Sequence, residues 1–277
     1  MILENSSGAL FADDIFKNRN VFLSGASRGI GRAVALAFAR YGANLYLVAK
    51  DAERLKKFSE EIASIYTLGG TSRVIRYRAC DFAQLEDVEA MLEEAKQEMP
   101  FHIVVNNAGI YQTEALAGHS LTSWRRLFDI NLNAAMLIMS HLLPSMIERK
   151  AGRIINISSI SGSKAEAWGS AYSAAKFALN GLTQAAALEN ARFGITINAV
   201  CPGWVLTDLA QEQIGSGEWQ ALNGLPADQS MELTRLSVPQ ERFLSADEIA
   251  STVLFLASDQ AQGITGQAIN ICGGLSL

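Results

Sequence analysis

The order of strand-like and helix-like segments constrains the fold of this chain more than any other feature of its sequence. Short apolar runs alternate with segments of helical periodicity from about residue 20 to the end of the 277-residue chain. Such an alternation builds βαβ units, whose right-handed crossovers require a parallel sheet covered by helices on both faces. We therefore predict an α/β fold, a doubly wound parallel sheet of about seven strands in one domain at 19–277, preceded by an N-terminal arm at 1–18.

Three segments in the second half of the chain carry more specific predictions. A single long helix is predicted at about 123–147, with Pro144 near its end. A shorter helix at 245–257 begins with Ser-Ala-Asp-Glu, the pattern of a capping box. Residues 204–242 are polar, weakly periodic and interrupted by glycines and Pro226. Because this segment follows the carboxyl end of a strand, we predict that it forms a substrate lid or binding loop.

Composition and charge bear on the partners of the protein. The net charge is −5 and the sequence has no basic stripe, so no nucleic-acid partner is expected. We predict that no apolar run reaches the length of a membrane span, and the first residues lack a signal-peptide pattern. No membrane association is therefore expected, and a cytoplasmic location follows by default. The three cysteines are far apart and have no ligand partner at short spacing, so we expect free thiols and no metal site.

A glycine-rich segment at 24–31, SGASRGIG, joins the first predicted strand to the first predicted helix. Gly25 allows the tight turn, Gly29 lets the backbone approach a pyrophosphate, and Gly31 lets the helix pack closely on the strand. The free N–H groups at the helix start then face the phosphates of a nicotinamide dinucleotide. The predicted cofactor contacts in this loop are Gly25, Ser27, Arg28, Gly29 and Ile30.

Charged residues near the second predicted strand bear on the choice between NADP and NAD. An NAD site usually places an acid at the end of this strand, where it binds the ribose 2′-hydroxyl. That position holds Ala49, whereas Lys50 follows it and Arg28 lies in the glycine-rich loop. The two cations favour NADP(H) over NAD(H). Asp51 is a rival ribose ligand, although it also suits the N-cap of the second helix, and Asp81 either bonds the adenine or caps the third helix.

Tyr172 and Lys176 are four residues apart and so share one face of a helix predicted at 172–192. A nearby ammonium lowers the pKa of a phenol from its usual value near 10. Tyr172 then acts as an acid when a carbonyl is reduced and as a base when an alcohol is oxidised. Lys176 can also hold the ribose hydroxyls of the cofactor. Ser158 and Ser159 end the fifth predicted strand, where a hydroxyl can polarise the substrate oxygen.

These motifs together closely resemble the short-chain dehydrogenase/reductase family, over residues 17 to 277. The family's glycine loop, NNAG, YxxxK and PG motifs appear at 24–31, 106–109, 172–176 and 202–203. The resemblance implies a Rossmann fold and a homotetramer or homodimer. It selects Ser159, which lies thirteen residues before Tyr172, as the catalytic serine. It also implies that Asn131 holds a water in a proton relay to Lys176.

The resemblance extends to the cofactor contacts and to the subfamily. The further cofactor contacts that it implies, in addition to Lys50 and Asp81, are Asn107, Gly109, Tyr172, Lys176, Pro202, Gly203, Val205 and Thr207. The whole pattern looks like the 3-oxoacyl-carrier-protein reductase type. Hydroxybutyrate dehydrogenases have a carboxylate clamp whose positions here hold Tyr111 or Gln112, Ser161 and Gly169. The clamp is largely missing, which argues against a small hydroxy acid.

We therefore expect an enzyme that transfers a hydride between NADP(H) and a carbonyl or secondary alcohol substrate, of the ketone or 3-oxoacyl type. The predicted substrate contacts are Ser159, Tyr172, Trp168 and Trp204. The two tryptophans suit an apolar or bulky ketone, and they suit packing of the lid equally well. Two alternatives stay open: an NAD-dependent secondary alcohol or hydroxy acid dehydrogenase, and a non-catalytic nucleotide-sensing protein on the same fold.

Overall fold

The computed structural model describes residues 14–67 and 73–277, which contain one seven-stranded sheet. Its strands are β1 (Asn20–Ser24), β2 (Asn44–Ala49), β3 (Ile75–Ala79), β4 (Ile103–Asn106), β5 (Gly152–Ile157), β6 (Ile195–Pro202) and β7 (Ala268–Ile271). The strand order is β3-β2-β1-β4-β5-β6-β7, and every neighbouring pair is parallel. The predicted doubly wound sheet is therefore confirmed.

Helices cover both faces of this sheet. They are α1 (Gly29–Arg40), α2 (Ala52–Thr67), α3 (Leu85–Glu98), α4 (Leu121–Phe128), α5 (Ala134–Arg149), α6 (Ser170–Asn190), α7 (Asp208–Ile214), α8 (Gly217–Asn223), α9 (Ala227–Ser237) and α10 (Ala246–Ala257). The core on one face includes side chains of α1, α2 and α10, and the core on the other includes side chains of α3, α5 and α6.

The first strand shows why a continuous apolar run forms the centre of such a sheet. Val21 and Leu23 belong to the core beside α1, whereas Phe22 belongs to the core beside α3 and α5. All three side chains are fully buried, and each burial contributes roughly 1.5–3 kcal/mol. A strand that is covered on both faces needs apolar residues at successive positions rather than at alternate ones.

The strand order also fixes where a ligand can bind. β1 has β2 on one side and β4 on the other, so the connections after β1 and β4 leave the sheet in opposite directions. A crevice opens between them at the carboxyl edge of the sheet, as is usual at the switch point of a doubly wound fold. The glycine-rich loop and the NNAG motif both lie at this crevice.

The long helix predicted at about 123–147 is interrupted. A π-helical segment, Asp129–Asn133, separates α4 from α5 and contains Asn131. Segments of this type are rare and are frequently found at functional sites. α5 continues past Pro144 to Arg149, two residues beyond the predicted end. Helical periodicity alone does not reveal the extra residue that a π turn accommodates.

The same stretch corrects the expectation that no apolar run is long enough for a membrane span. Leu121–Arg149 is long and apolar enough by length and composition, and 44% of its most apolar window is buried inside the protein. Ile138 and Leu142, for example, are buried in the core beneath the sheet. A core helix of this kind passes the same length test as a membrane span.

The segment 204–242 is helical where its weak periodicity predicted a loop. It contains α7, α8 and α9. The side chains of Thr207 and Ser216 cap α7 and α8 by accepting hydrogen bonds from backbone N–H groups. Helices this short bury too little apolar surface to show a clear period. The capping box predicted at the start of the next helix is confirmed, with Ser245 and Glu248 as its members.

Of the predicted N-terminal arm, residues 1–13 lie outside the described residues. Residues 14–18 form a turn. In it Phe16 packs edge-to-face on Phe38 of α1, with ring centroids 4.9 Å apart. This part of the arm therefore belongs to the packed core.

Candidate active site

The glycine-rich loop is tied to the loop after β4 by hydrogen bonds. Ser24 Oγ accepts hydrogen bonds from the backbone N–H groups of Asn107 at 2.9 Å and Ala108 at 3.1 Å. The Asn107 side-chain amide donates to Gly25 O at 2.9 Å. A Cβ on Gly25 would lie 2.7 Å from that amide, and a Cβ on Gly31 only 2.1 Å from Gly25 O. The close packing predicted from these glycines is therefore present.

Two predicted cations, Lys50 and Arg28, lie at the end of the crevice beside β2, and each is paired with an acid. Lys50 Nζ is 2.7 Å from Asp81 Oδ2. Arg28 hydrogen-bonds to Glu212 of α7 and lies 3.7 Å from Asp208. Burial opposes ionisation of Asp81, but the Lys50 ammonium holds the pKa of that carboxyl below its usual value. The sequence-based argument counted the cations but missed the acids of α7 that approach Arg28.

The hydrogen bonds of Asp51 and Asp81 show which of the two caps a helix. Asp51 caps α2, because its carboxylate accepts a hydrogen bond from the backbone N–H of Arg54 at 2.9 Å. Asp81 does not cap α3: its carboxylate accepts from Ala83 N at 3.1 Å, and the N-cap position is occupied by Gln84. The cap preferred for Asp51 is thus confirmed, and the cap considered for Asp81 is not formed.

Tyr172 and Lys176 lie one turn apart on α6, and both line the crevice. Lys176 Nζ is 5.5 Å from the centre of the Tyr172 ring and donates a hydrogen bond to Ile157 O at 2.9 Å. The i to i+4 spacing therefore brings the phenol and the amine to the same wall, as predicted.

The electrostatics of this pair differ from the expectation. Burial raises the pKa of Tyr172 above its ordinary value of 10, and the nearby Ser159 hydroxyl offsets this only in part. Burial also lowers the pKa of Lys176 to about 8. In the protein itself, the prediction that Lys176 lowers the pKa of Tyr172 is therefore wrong, because desolvation outweighs the effect of the amine.

Asn131 is buried in the π-helical segment and holds the loop that follows β4. Its Oδ1 accepts a hydrogen bond from Ile110 N at 3.2 Å, and its Nδ2 donates to Ile110 O and Leu127 O, each at 3.0 Å. A Cβ on Gly109 would lie 2.9 Å from Asn131 Oδ1 and 3.7 Å from Lys176 Nζ. Gly109 therefore keeps the space between these two polar groups open.

Ser159 begins a row of polar side chains beside Tyr172. Its Oγ is 3.1 Å from Ser161 Oγ, which in turn is 3.1 Å from Glu166 Oε1. Ser158 makes a different contact, with its Oγ 3.4 Å from Lys176 O. The two neighbouring serines thus belong to different hydrogen-bond networks, and Ser159 is the one connected to the polar wall.

One cavity of about 910 Å³ connects the glycine-rich loop to Tyr172. The predicted residues that line it are Gly25, Ser27, Arg28, Gly29, Ile30, Lys50, Asp81, Asn107, Gly109, Ser159, Tyr172, Lys176, Pro202, Gly203, Trp204, Val205 and Thr207. Asn131 is 1% exposed and lies behind this lining. The structure thus brings together residues that are spread over most of the chain.

The two predicted tryptophan contacts are separated by the structure. Trp204 lines the cavity and packs edge-to-face on Trp219 of α8, with ring centroids 5.4 Å apart. Trp168 is 38% exposed and is not part of the lining. It has a φ of 60° in the turn before α6, and its carbonyl accepts a hydrogen bond from Glu114 N. This left-handed turn leaves the indole outside the cavity.

Several cavity-lining residues were not found by sequence reasoning. They are the cations Arg54 and Arg126, the acid Asp208 and the C-terminal Leu275. No local motif marks any of them. Arg28 and Glu212, which hydrogen-bond to each other, are 184 residues apart. Only the folded chain shows such a pair.

Comparison with known proteins adds to this geometry. Residues 19–216 match the family model described as short chain dehydrogenase. The chain is 34% identical to the D-beta-hydroxybutyrate dehydrogenase of Cupriavidus necator, over 94% of this chain and 98% of the relative. It is also 34% identical to a 3-oxoacyl-acyl-carrier-protein reductase of Staphylococcus epidermidis, over 93% and 99%. Among solved structures, a variant of actinorhodin polyketide ketoreductase with NADPH matches with a TM-score of 0.86 and 29% identity, over 96% of this chain and 99% of that chain.

Proposed function

The chain belongs to the short chain dehydrogenase family, and we propose that it is an NADP(H)-dependent oxidoreductase that interconverts a ketone or 3-oxoacyl compound and the corresponding secondary alcohol. One observation carries the proposal. Tyr172, Lys176 and Ser159 line the same cavity into which the glycine-rich loop opens. A proton donor, a cation and a polarising hydroxyl therefore line one cavity together with a loop suited to bind a dinucleotide.

The residues of the crevice fit a nicotinamide dinucleotide. Gly25 and Gly29 have φ values of 67° and 53°, which favour glycine. A Cβ on Gly29 would lie 3.3 Å from Thr207 Cγ2 and would narrow the crevice. The first N–H groups of α1 lack intrahelical partners and are suited to bind a pyrophosphate. Lys176 would hold the ribose, and Thr207 would meet the carboxamide.

The roles of the protein groups follow from their chemistry. When bound, the dinucleotide supplies the hydride that reaches the carbonyl carbon. Tyr172 donates a proton to the carbonyl oxygen, and its raised pKa keeps it protonated at neutral pH, as an acid for reduction must be. Ser159 orients the substrate oxygen, and Asn131 supports the proton relay to Lys176. In alcohol oxidation Tyr172 takes the proton back.

Replacement of Tyr172 tests this assignment. We expect Tyr172→Phe to lower ketone-dependent NADPH oxidation by at least about 100-fold, because general acid catalysis is lost. NADPH binding, measured by fluorescence titration, should stay within about twofold of the wild type. Tyr77→Phe, at a 44% exposed tyrosine, is the matched control. Equal turnover in Tyr172→Phe would refute the assignment, and a wild type that binds NADPH but reduces no carbonyl would favour a nucleotide-sensing protein.

The preference for NADP(H) is supported by Arg28 and Lys50 at the end of the crevice beside β2. We expect the wild type to have a higher kcat/KM with NADPH than with NADH. Lys50→Ala and Arg28→Ala should each reduce the ratio of kcat/KM with NADPH to kcat/KM with NADH by about tenfold, the effect of one charge-assisted hydrogen bond. A ratio that neither substitution changes would contradict the proposal.

A second candidate, NAD-linked oxidation of a secondary alcohol or hydroxy acid, is favoured by the acids in the same place. Asp81 and Glu212 already pair with Lys50 and Arg28, and this pairing weakens the attraction of these cations for a 2′-phosphate. The ratio of kcat/KM for NADH and NADPH distinguishes the two candidates. A ratio above one would establish the NAD-linked enzyme.

The lid and the oligomer are also part of the proposal. Segment 204–242 contributes Trp204, Thr207 and Leu209 to the cavity wall, which supports its role as a lid. Phe177 and Leu188 are 45% and 83% exposed on α6, which supports burial of that helix against another copy in a homodimer or homotetramer. Light scattering coupled to gel filtration would measure the number of copies.

A further inference from the structure

A half-buried carboxyl group lies in the cavity wall, beyond the residues assigned to hydride and proton transfer. Glu166 lines the cavity, as do Ser161 and Tyr111. A Cβ on Gly169 would lie 2.8 Å from Glu166 Cγ and 2.9 Å from the Tyr111 hydroxyl, so both side chains converge on this glycine. Burial raises the pKa of the Glu166 carboxyl, and its polar neighbours offset this only in part.

No cation balances this carboxyl among the residues that the structure describes. Its hydrogen-bond partner is Ser161, and the Tyr111 hydroxyl is close enough to affect its pKa but forms no hydrogen bond of normal geometry. The Lys176 amine is bonded to a backbone carbonyl. Lys164 lines the same cavity, but its side chain is exposed and it is not among the groups that shift the pKa of Glu166. A half-buried carboxyl with one weak partner retains the capacity to accept a further hydrogen bond.

The hydrogen bonds from Ser159 to this carboxyl have a defined direction. A carboxylate only accepts, so Ser161 donates its single hydroxyl proton to Glu166, and Ser159 donates its own to Ser161. The Ser159 proton is then not available to a substrate oxygen. A substrate group that donates to Glu166 would let Ser161 donate to Ser159 instead, which releases the Ser159 proton for the carbonyl oxygen.

Building on the proposed function, we propose that Glu166 is a specificity-determining residue that accepts a hydrogen bond from a hydroxyl group carried near the carbonyl of the substrate. The preferred substrates are then hydroxyketones and the corresponding diols. Keto acids are rejected, because their carboxylate would lie beside a second carboxylate without a cation between them.

Three small ketones test this inference, because they differ in the group that would face Glu166. These are 4-hydroxy-2-butanone with a hydroxyl, 2-pentanone with a methyl, and acetoacetate with a carboxylate. We expect the wild type with NADPH to prefer the hydroxyketone over 2-pentanone by about tenfold or more in kcat/KM, and to use acetoacetate least. Glu166→Leu should abolish the preference between the first two, and Glu166→Gln should raise kcat/KM for acetoacetate by about tenfold. Glu89→Leu, at an exposed position on α3, is the control.

The outcomes separate this inference from the proposed function. If Glu166→Leu keeps the wild-type preference, the inference is overturned while the proposed function stands. If that variant fails to fold, Glu166→Gln decides, and an unchanged ratio of acetoacetate to hydroxyketone turnover overturns the inference. If the wild type reduces none of the three, the proposed function fails for small ketones. Binding of 4-hydroxy-2-butanone to the NADP⁺-saturated protein, measured by saturation-transfer NMR, then decides. If Glu166→Gln and Glu166→Leu both bind this compound as the wild type does, the inference is overturned.

Discussion

Lys176 combines a proposed role in the reaction with a cost to the folded state. Lys176 is 3% exposed, and its amine donates one hydrogen bond, to Ile157 O. Burial lowers its pKa from 10.5 to about 8, which corresponds to about 3 kcal/mol at 1.36 kcal/mol per pKa unit. The native state therefore holds the proton of Lys176 less tightly than the unfolded chain does. Its charged form destabilises the protein at neutral pH.

We expect Lys176→Met to be more stable than the wild type and inactive. The substitution removes the penalty of about 3 kcal/mol, but it leaves Ile157 O without its donor, at about 1–3 kcal/mol. A net gain of about 2 kcal/mol remains when the smaller cost applies, and it raises the Tm by about 4–8 °C for a domain of this size. Turnover falls because Tyr172 loses its cationic neighbour and the ribose loses its donor.

The pH dependence gives this prediction a second readout. Between pH 8 and 10.5 the unfolded chain binds the Lys176 proton and the native state does not, so the stability of the wild type rises with pH in that window. The stability advantage of Lys176→Met should therefore be full below pH 8 and shrink toward pH 10.5. Thermal unfolding without cofactor at several pH values measures this, with Lys57→Met at an exposed position of α2 as control. A stability difference between the variant and the wild type that does not vary with pH would refute the reasoning.

Three further predictions concern packing, capping and the lid. Gly31→Ala places a Cβ 2.1 Å from Gly25 O, so the affinity for NADPH should fall by at least about tenfold. Gly181→Ala is the control: a Cβ at this position has no atom within 4 Å, so the variant should bind NADPH normally. Arg242 and the cap hold the pKa of Glu248 at about 2. The carboxylate therefore contributes about 1 kcal/mol to the free energy of unfolding above pH 4.5, and this contribution is lost as the pH falls toward 2. Glu248→Gln should remove this acid-sensitive part of the free energy of unfolding. Glu212→Gln frees the arginine of the glycine-rich loop and should lower the KM for NADPH severalfold without changing that for NADH, an outcome that steady-state kinetics can contradict directly.

Much of the fold follows from the sequence because it depends on local patterns. The alternation of apolar runs with helical periods predicts the parallel sheet, since backbone hydrogen bonding and the two faces of each strand are set within a few residues. The same locality explains why the N-cap at Asp51, the capping box at Ser245 and the shared face of Tyr172 and Lys176 were predicted correctly. Each of these features spans no more than about one helical turn.

Other features were decided by the tertiary structure. Glu212, the acid that hydrogen-bonds to Arg28, lies in α7, 184 residues away. The raised pKa of Tyr172 comes from burial by the packed cavity wall and not from the residue one turn along the helix. The interruption of the long helix at Asn131 and the position of Trp168 outside the cavity also depend on how distant segments meet.

What the sequence determined by itself is therefore the set of elements, the loop suited to a dinucleotide and the identity of the polar groups that reach its crevice. What only the tertiary structure decided is how those groups are solvated and paired. The physical reason is that backbone geometry and side-chain direction are set by near neighbours, whereas desolvation and electrostatic pairing depend on every atom within several ångströms, wherever it lies in the chain.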